Sequence, residues 1–317
     1  MWALRRVGVL IATVVVAVSL GHVLIASSGD DDTLSTAVTT TPRHLIDTFL
    51  HFDLGATPGR RCGKQDDLHP HFPGCASYSP GSIAQMLVER VPVDLMLLTI
   101  GVLLGLLIGV AGGRFCATHP GSHRSRALHV ATALQLSMPV LFQGLLVIAF
   151  FSSNVSDFVR LPFLSGEGDY VPPLQDPIQF LKAMWIPWLL VAFPLSAFVL
   201  RITEASLRED LQEDFVRTAR AKGVSERRVV NHHALPVAAP GIAAITGVNV
   251  STTLINVALI EYVYGIPGMF RVTSNAVHAP ADVAVLEGLV LVGVVLVVVA
   301  NALADAVQHR LDPRVRV

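Results

Sequence analysis

Six apolar stretches set the limits on this chain: about residues 7–26, 93–113, 127–151, 185–200, 238–260, and a last one from near Glu287 to Asp305. Hydrocarbon contains no water to satisfy peptide groups, so a stretch that lies in a membrane must be helical. About 20 residues rising ~1.5 Å each cross the ~30 Å of a bilayer core, and most of these stretches reach that length. A hydrophobic content of 52%, a charged content of 15% and a mean hydropathy of +0.58 place the whole chain with membrane proteins. A cleaved signal peptide competes for the first stretch because Ala26-Ser27-Ser28 is rich in small residues, but the apolar run is long and further stretches follow.

Composition also excludes functions. A net charge of −1 offers no electrostatic footprint for nucleic acid. The lysines are Lys64, Lys182 and Lys222, and none lies in a phosphate-binding G-x-x-x-x-G-K-[ST] loop. The chain therefore does not hydrolyse ATP by that route.

The one long polar helix candidate is residues 207–223. Leu207, Leu211, Phe215 and Ala219 recur every fourth residue, which predicts one apolar face with Glu213, Asp214, Arg217, Arg220 and Lys222 elsewhere. Gly223 stands where a helix closes through a left-handed residue. Ser225 is placed to cap a second helix with Glu226 in its first turn. Two readings fit this spacing equally: a face for a partner, or an amphipathic linker lying on lipid.

Residues 214–223 (Asp-Phe-Val-Arg-Thr-Ala-Arg-Ala-Lys-Gly), with His233-Ala-Leu235 ten residues on, resemble the coupling loop of bacterial ABC importer permeases. More narrowly they resemble the first permease subunit of the dipeptide/oligopeptide and nickel family. Arg217-Thr218-Ala219 stands where the general pattern has E-A-A. Supporting likenesses are Leu87-Val-Glu-Arg90-Val-Pro92, Ser137-Met-Pro139 with Gly144, Pro187, Arg201, Glu261-Tyr-Val-Tyr-Gly-Ile-Pro-Gly268, Asp282 to Gly288, and Arg310-Leu-Asp-Pro-Arg-Val-Arg316. Departures are Glu204 for a second Arg, Phe270 for a glycine, Ala284 for Pro and Glu287 for Gln. The resemblance runs from about residue 87 to the end.

It implies an all-α polytopic membrane protein with six transmembrane helices, the type I importer permease fold and a cytoplasmic coupling helix. The expected divisions are an N-terminal helix at 1–26, an extracytoplasmic segment at 27–90, and a permease core at 91–317 carrying the coupling loop 201–236. The implied partners are a second homologous permease subunit, two ATP-binding subunits, an extracytoplasmic substrate-binding protein and membrane lipid. ATP and Mg²⁺ would be bound by the ATPase partners, with no cofactor in this chain. The implied coupling residues are Leu211, Asp214, Phe215, Arg217, Thr218, Ala219, Arg220, Lys222 and Gly223. Leu211, Phe215 and Ala219 would bury in the ATPase groove, with Arg217, Arg220 and Lys222 at its rim. Peptide uptake across a bacterial cytoplasmic membrane is the implied activity, with nickel or another small solute as the alternative. A secondary transporter, a channel, or a membrane-anchored sensor using residues 27–90 would belong to other classes.

Topology follows without the resemblance. Eight of the 23 Lys and Arg fall in segments assigned to the outside: Arg43, Arg60, Arg61, Lys64, Arg90, Arg160, Lys182 and Arg271. The rest fall in the shorter segments assigned to the inside, which places both termini in the cytoplasm.

Other features remain. Gly101, Gly105, Gly109 and Gly113 line one face of the second stretch and predict close helix packing. Gln135 and Gln143, flanking Pro139, line either a path or an interhelical contact, as do Asn249 and Asn256. Glu287 reads as the one acid well inside an apolar stretch, a candidate for the path or for the outer interface. Trp185 and Trp188 suit an interfacial belt. Cys62 and Cys75 form a disulfide on one reading, since their loop faces an oxidising side and closing it would contribute ~3 kcal/mol. A zinc or nickel site with His69 and His71, and an unpaired loop, are the alternatives; the ligand spacing matches no standard closed site, so no metal is assigned.

Overall fold

The computed structural model describes residues 80–151, 170–272 and 283–311, together with 8, 11–20, 23, 41–43, 48, 54, 56 and 57. Cys62 and Cys75 with their two histidines lie outside the described residues, and so does most of the 27–90 segment. The helices are α1 (Ile11–Leu20), α2 (Ile83–Thr118), α3 (His123–Ser137), α4 (Val140–Phe151), α5 (Pro177–Asp210), α6 (Asp214–Ala221), α7 (Glu226–Tyr264) and α8 (Val283–Leu311). Residues 229–234 of α7 form a π-helical turn. The strands are a two-residue antiparallel ladder, β1 (Ala56–Thr57) on β2 (Gly81–Ser82), with Ala56 opposite Ser82.

Helices α2, α5, α7 and α8 are long and apolar enough to cross a membrane, and α1 covers the middle of the first apolar stretch. The expected single span at 127–151 is instead two helices, α3 and α4, bent by 106°. Pro139 is the cause. Its ring disfavours helical backbone at the preceding residue, and Met138 accordingly sits at φ −113°, ψ 126°. A break inside an apolar stretch strands carbonyls, and Gln143 answers them. Its side-chain amide donates to the carbonyls of Met138 (2.7 Å) and Gln135 (3.2 Å), while the Gln135 amide donates to its Oε1 (2.9 Å). The pair thus bridges the break between α3 and α4.

The chain divides into two compact units. One comprises Met1–Met96, Gly166–Tyr170 and Glu261–Val299; the other comprises Leu97–Ser165, Val171–Ile260 and Ala300–Val317. In the second, the glycine face of α2 packs on α5 at near-backbone distance. A Cβ at Gly105 would lie 2.9 Å from the Ala192 carbonyl oxygen, and one at Gly109 2.6 Å from Val199 Cβ. At Gly113 it would lie 2.6 Å from the Leu200 carbonyl oxygen. Partner numbers rise with the glycine numbers, so the two helices run parallel. The chain between parallel passes must cross once, and the bent α3–α4 pair is the described apolar segment that lies between them. Arg114 on α2 donates to Asn231 on α7 at 2.8 Å, while Leu106 and Val110 line a cleft with Leu235, Ile242 and Thr246, so α7 runs the other way. Trp188, expected in an interfacial belt, is buried edge-on against Phe180.

The first unit is organised by two fully buried acids, Asp94 and Glu261. Asp94 accepts the Met269 N–H at 3.0 Å, and Glu261 accepts that of Arg271 at 3.3 Å. Arg90 donates to the Gly268 carbonyl at 3.4 Å, and Gly268 touches both carboxyl groups, leaving no room there for a side chain. Asp94 heads the second apolar stretch. It and Glu261 are enclosed by this unit, whereas Glu287 of α8 is half-buried.

Two expectations follow. Gly109→Ala should destabilise the protein by about 1–3 kcal/mol through overpacking, whereas Gly241→Ala, with open space at its Cβ, should not. Equal melting temperatures for the two in detergent would refute the contact. Gln143→Leu should cost about 1–3 kcal/mol by leaving the Met138 and Gln135 carbonyls unpaired, read as the loss in chemical or thermal melting.

Candidate functional site

The polar loop between α5 and α7 is a folded structure with its own core. The expected continuous helix from 207 to 223 is broken. Helix α5 ends at Asp210, residues 211–213 turn, and α6 begins at Asp214. The Gln212 and Glu213 amides bond back to Glu209 and Asp210, which closes the turn. Asp214 then opens α6 and Arg220 closes it, each at the end its charge favours.

Because of the break, Leu207 belongs to α5 and the apolar face differs from the one periodicity predicts. Val216 and Ala219 are buried against Val229, with Leu211 and Val224 packed beside them. Leu211 also contacts the cluster formed by Ala117, Leu195, Leu207 and Ala238, and so ties the loop to the helices above it. Phe215, expected to share a face with Leu211 and Ala219, points outward and is 40% exposed. Leu211 and Ala219 therefore hold the loop together, while Phe215 is the large apolar group it presents. Exposed around it are Asp214, Arg217, Thr218 and Lys222. Arg217 lies 3.3 Å from Asp214 with both side chains largely in solvent, and such a pair contributes little, about 0–1 kcal/mol. The Thr218 hydroxyl donates to the Asp214 carbonyl at 2.9 Å.

The end of α6 is closed twice. Gly223 has φ +77°, the Gly223 N–H bonds to the Arg220 carbonyl (2.9 Å) and the Val224 N–H to that of Ala219 (3.2 Å). This is the paired 5→2 and 6→1 closure of a Schellman turn, completed by the Val224–Ala219 contact. The second closure is Arg220, whose guanidinium makes two bonds to Glu226 (2.6 and 3.0 Å) and one to the Leu211 carbonyl (3.3 Å). Its hydrogen bonding to Glu226 raises the Arg220 pKa. Ser225 caps through its backbone: its carbonyl accepts the N–H groups of Arg228 and Val229, and its hydroxyl makes no capping bond. The π turn that follows buries Val229, Val230 and Ala234 together.

Sequence reasoning missed Val216, Val229 and Glu226 as structural partners. The signal available was the Val216/Ala219/Val224 spacing, masked by the stronger four-residue repeat. Of the polar residues inside the spans, Asn249 donates to the Ile245 carbonyl of its own helix at 2.8 Å, and Asn256 is half-buried.

These features define a helical membrane protein whose described residues include a polar loop with its own core and an outward-facing Phe215. Comparison with known families agrees: residues 101–317 match the model for the binding-protein-dependent transport system inner membrane component, and the chain belongs to that family. A probable peptide ABC transporter permease of Sinorhizobium fredii is 29% identical over 79% of this chain and 77% of its own. A putative peptide permease of Brucella ovis is 30% identical over 74% and 72%. An oligopeptide transport system permease of Bacillus subtilis is 25% identical over 74% and 72%. Among solved structures, the inward-facing MetNI methionine ABC transporter matches with a TM-score of 0.54 and 19% identity, over 72% of this chain and 97% of that one. The fold is thus that of an ABC importer permease, and the chain is a multi-pass inner-membrane component.

Gly223→Ala should weaken the closure of α6 by about 1–2 kcal/mol, the cost of a left-handed side-chain-bearing residue. Gly223→Val should weaken it further, since the space is open and only the backbone objects. Hydrogen exchange of the 214–224 amides reads the effect, and unchanged protection in Gly223→Val would contradict it.

Proposed function

We propose that this chain is the membrane-spanning subunit of an ATP-driven peptide importer working by alternating access. In it, α6 transmits movement from separate ATPase subunits. The relatives named as peptide permeases support the substrate class. The observation that carries the coupling role is the exposure of Phe215 on a helix otherwise fastened down by Val216, Ala219, Gly223 and Arg220. A lone exposed aromatic framed by charges is the usual anchor for a pocket on a partner.

In this mechanism Phe215 inserts into a groove of the ATPase, with Thr218 beside it and Asp214, Arg217 and Lys222 at the rim. Leu211, Ala219, Arg220 and Gly223 fix the helix so that it moves as one piece with α5 and α7. Nucleotide-driven closure of two ATPase subunits, which bind the ATP and Mg²⁺, re-packs the spans of this chain and of a second, homologous permease. An extracytoplasmic binding protein delivers the peptide. Both termini lie in the cytoplasm, on the same side as α6. Asn249, Asn256 and Glu287 are candidates for the path, and Gln135 and Gln143 shape it through the bend they stabilise.

In proteoliposomes holding the complete complex, Phe215→Ala should lower binding-protein-stimulated ATPase activity and labelled-peptide uptake together, by ten-fold or more for the loss of about 2 kcal/mol of contact. Phe215→Leu should retain most of both. Normal coupling in Phe215→Ala would end this reading, and ATP-driven nickel uptake without peptide uptake would replace the substrate.

A further inference from the structure

Three metal-ligating side chains from three helices meet at the end of α2. Cys116 of α2, His129 of α3 and Glu204 of α5 place their sulfur, imidazole nitrogen and carboxylate oxygen within 4.8 Å of one another. Cys116 is a fully buried free thiol. The Glu204 carboxylate is 9% exposed, with Arg208 at 2.6 Å and His129 Nε2 at 3.3 Å from its Oε1. The His129 side chain is 43% exposed, which leaves an entry route. Neither the coupling loop nor the path uses these groups.

We propose that Cys116, His129 and Glu204 form a site for one divalent transition-metal ion of the zinc type, with water as fourth ligand. One sulfur, one nitrogen and one oxygen donor suit zinc and its neighbours, whereas calcium and magnesium require oxygen. Bonds of roughly 2.0–2.3 Å in a tetrahedron put ligand atoms about 3.3–3.8 Å apart, so the groups close by about 1 Å on binding. The thiol loses its proton to solvent as the metal–sulfur bond forms. Arg208 remains on Glu204 and orients it, as the outer partners of metal ligands do. The ion joins α2, α3 and α5 about two turns before α5 gives way to the loop at Asp210, and stiffens that junction. This site is independent of the transport reading.

The test is a cobalt titration of the full-length chain, without a histidine tag, in a Cys62→Ser/Cys75→Ser background. The expected result is a single bound Co²⁺ per chain with a sulfur-to-cobalt charge-transfer band, displaced by Zn²⁺. Cys116→Ser should abolish the band. A parent without a stoichiometric band, or a band that survives Cys116→Ser, overturns the site. Because Cys116 is enclosed and its variant can misfold, melting of the unmodified chain gives a second reading. Zn²⁺ should raise its melting temperature, and His129→Ala, which removes a half-exposed side chain, should cancel the shift. No shift in the parent, or an equal shift in His129→Ala, overturns it as well.

Discussion

The near-backbone contact between α2 and α5 is the constraint from which the second unit follows. Lipid tails are as apolar as leucine, so helices in a membrane are held by close packing rather than by expulsion of water. Glycines on one face of α2 let carbonyls and Cβ atoms of α5 approach where any side chain would collide. Because the two helices run in the same direction, the chain between them must return across the bilayer. The apolar segment between them is in two pieces, and at the break the Gln143 side chain, held by that of Gln135, bonds to the carbonyls the bend leaves without helical partners.

The loop borrows rigidity from the same scaffold. An eight-residue helix is marginal in isolation. Here α6 is held by a small valine-centred core, a left-handed glycine closure and an arginine that reaches both ends of the turn. Leu211 lies in both the loop core and the inter-helix cluster, so displacement of α6 is felt by α5 and α7. That shared residue joins the loop core to the helices packed around it.

Much of this was legible in the sequence. The long apolar runs, the glycine register, the closing role of Gly223 and the family resemblance of residues 214–223 all rest on local chemistry, which a linear reading captures. The four-residue repeat from Leu207 to Ala219 misled because it crosses a helix break. Once α5 stops at Asp210, the phase of the next helix is reset, and Phe215 turns outward while Val216 turns in. The buried acid pair had no signal in the sequence for a similar reason. Asp94 sits at the head of a span, where exposure is the default, and its hydrogen bond comes from Met269, 175 residues on.

By itself the sequence determined that this chain is a helical membrane protein with one polar, glycine-closed loop, because length, hydropathy and turn chemistry are properties of neighbouring residues. Only the tertiary structure decided which side of that loop is core and which is surface, that residues 127–151 are two helices, and that Cys116, His129 and Glu204 meet. Those outcomes depend on groups up to a hundred residues apart, whose separation in space no local pattern encodes.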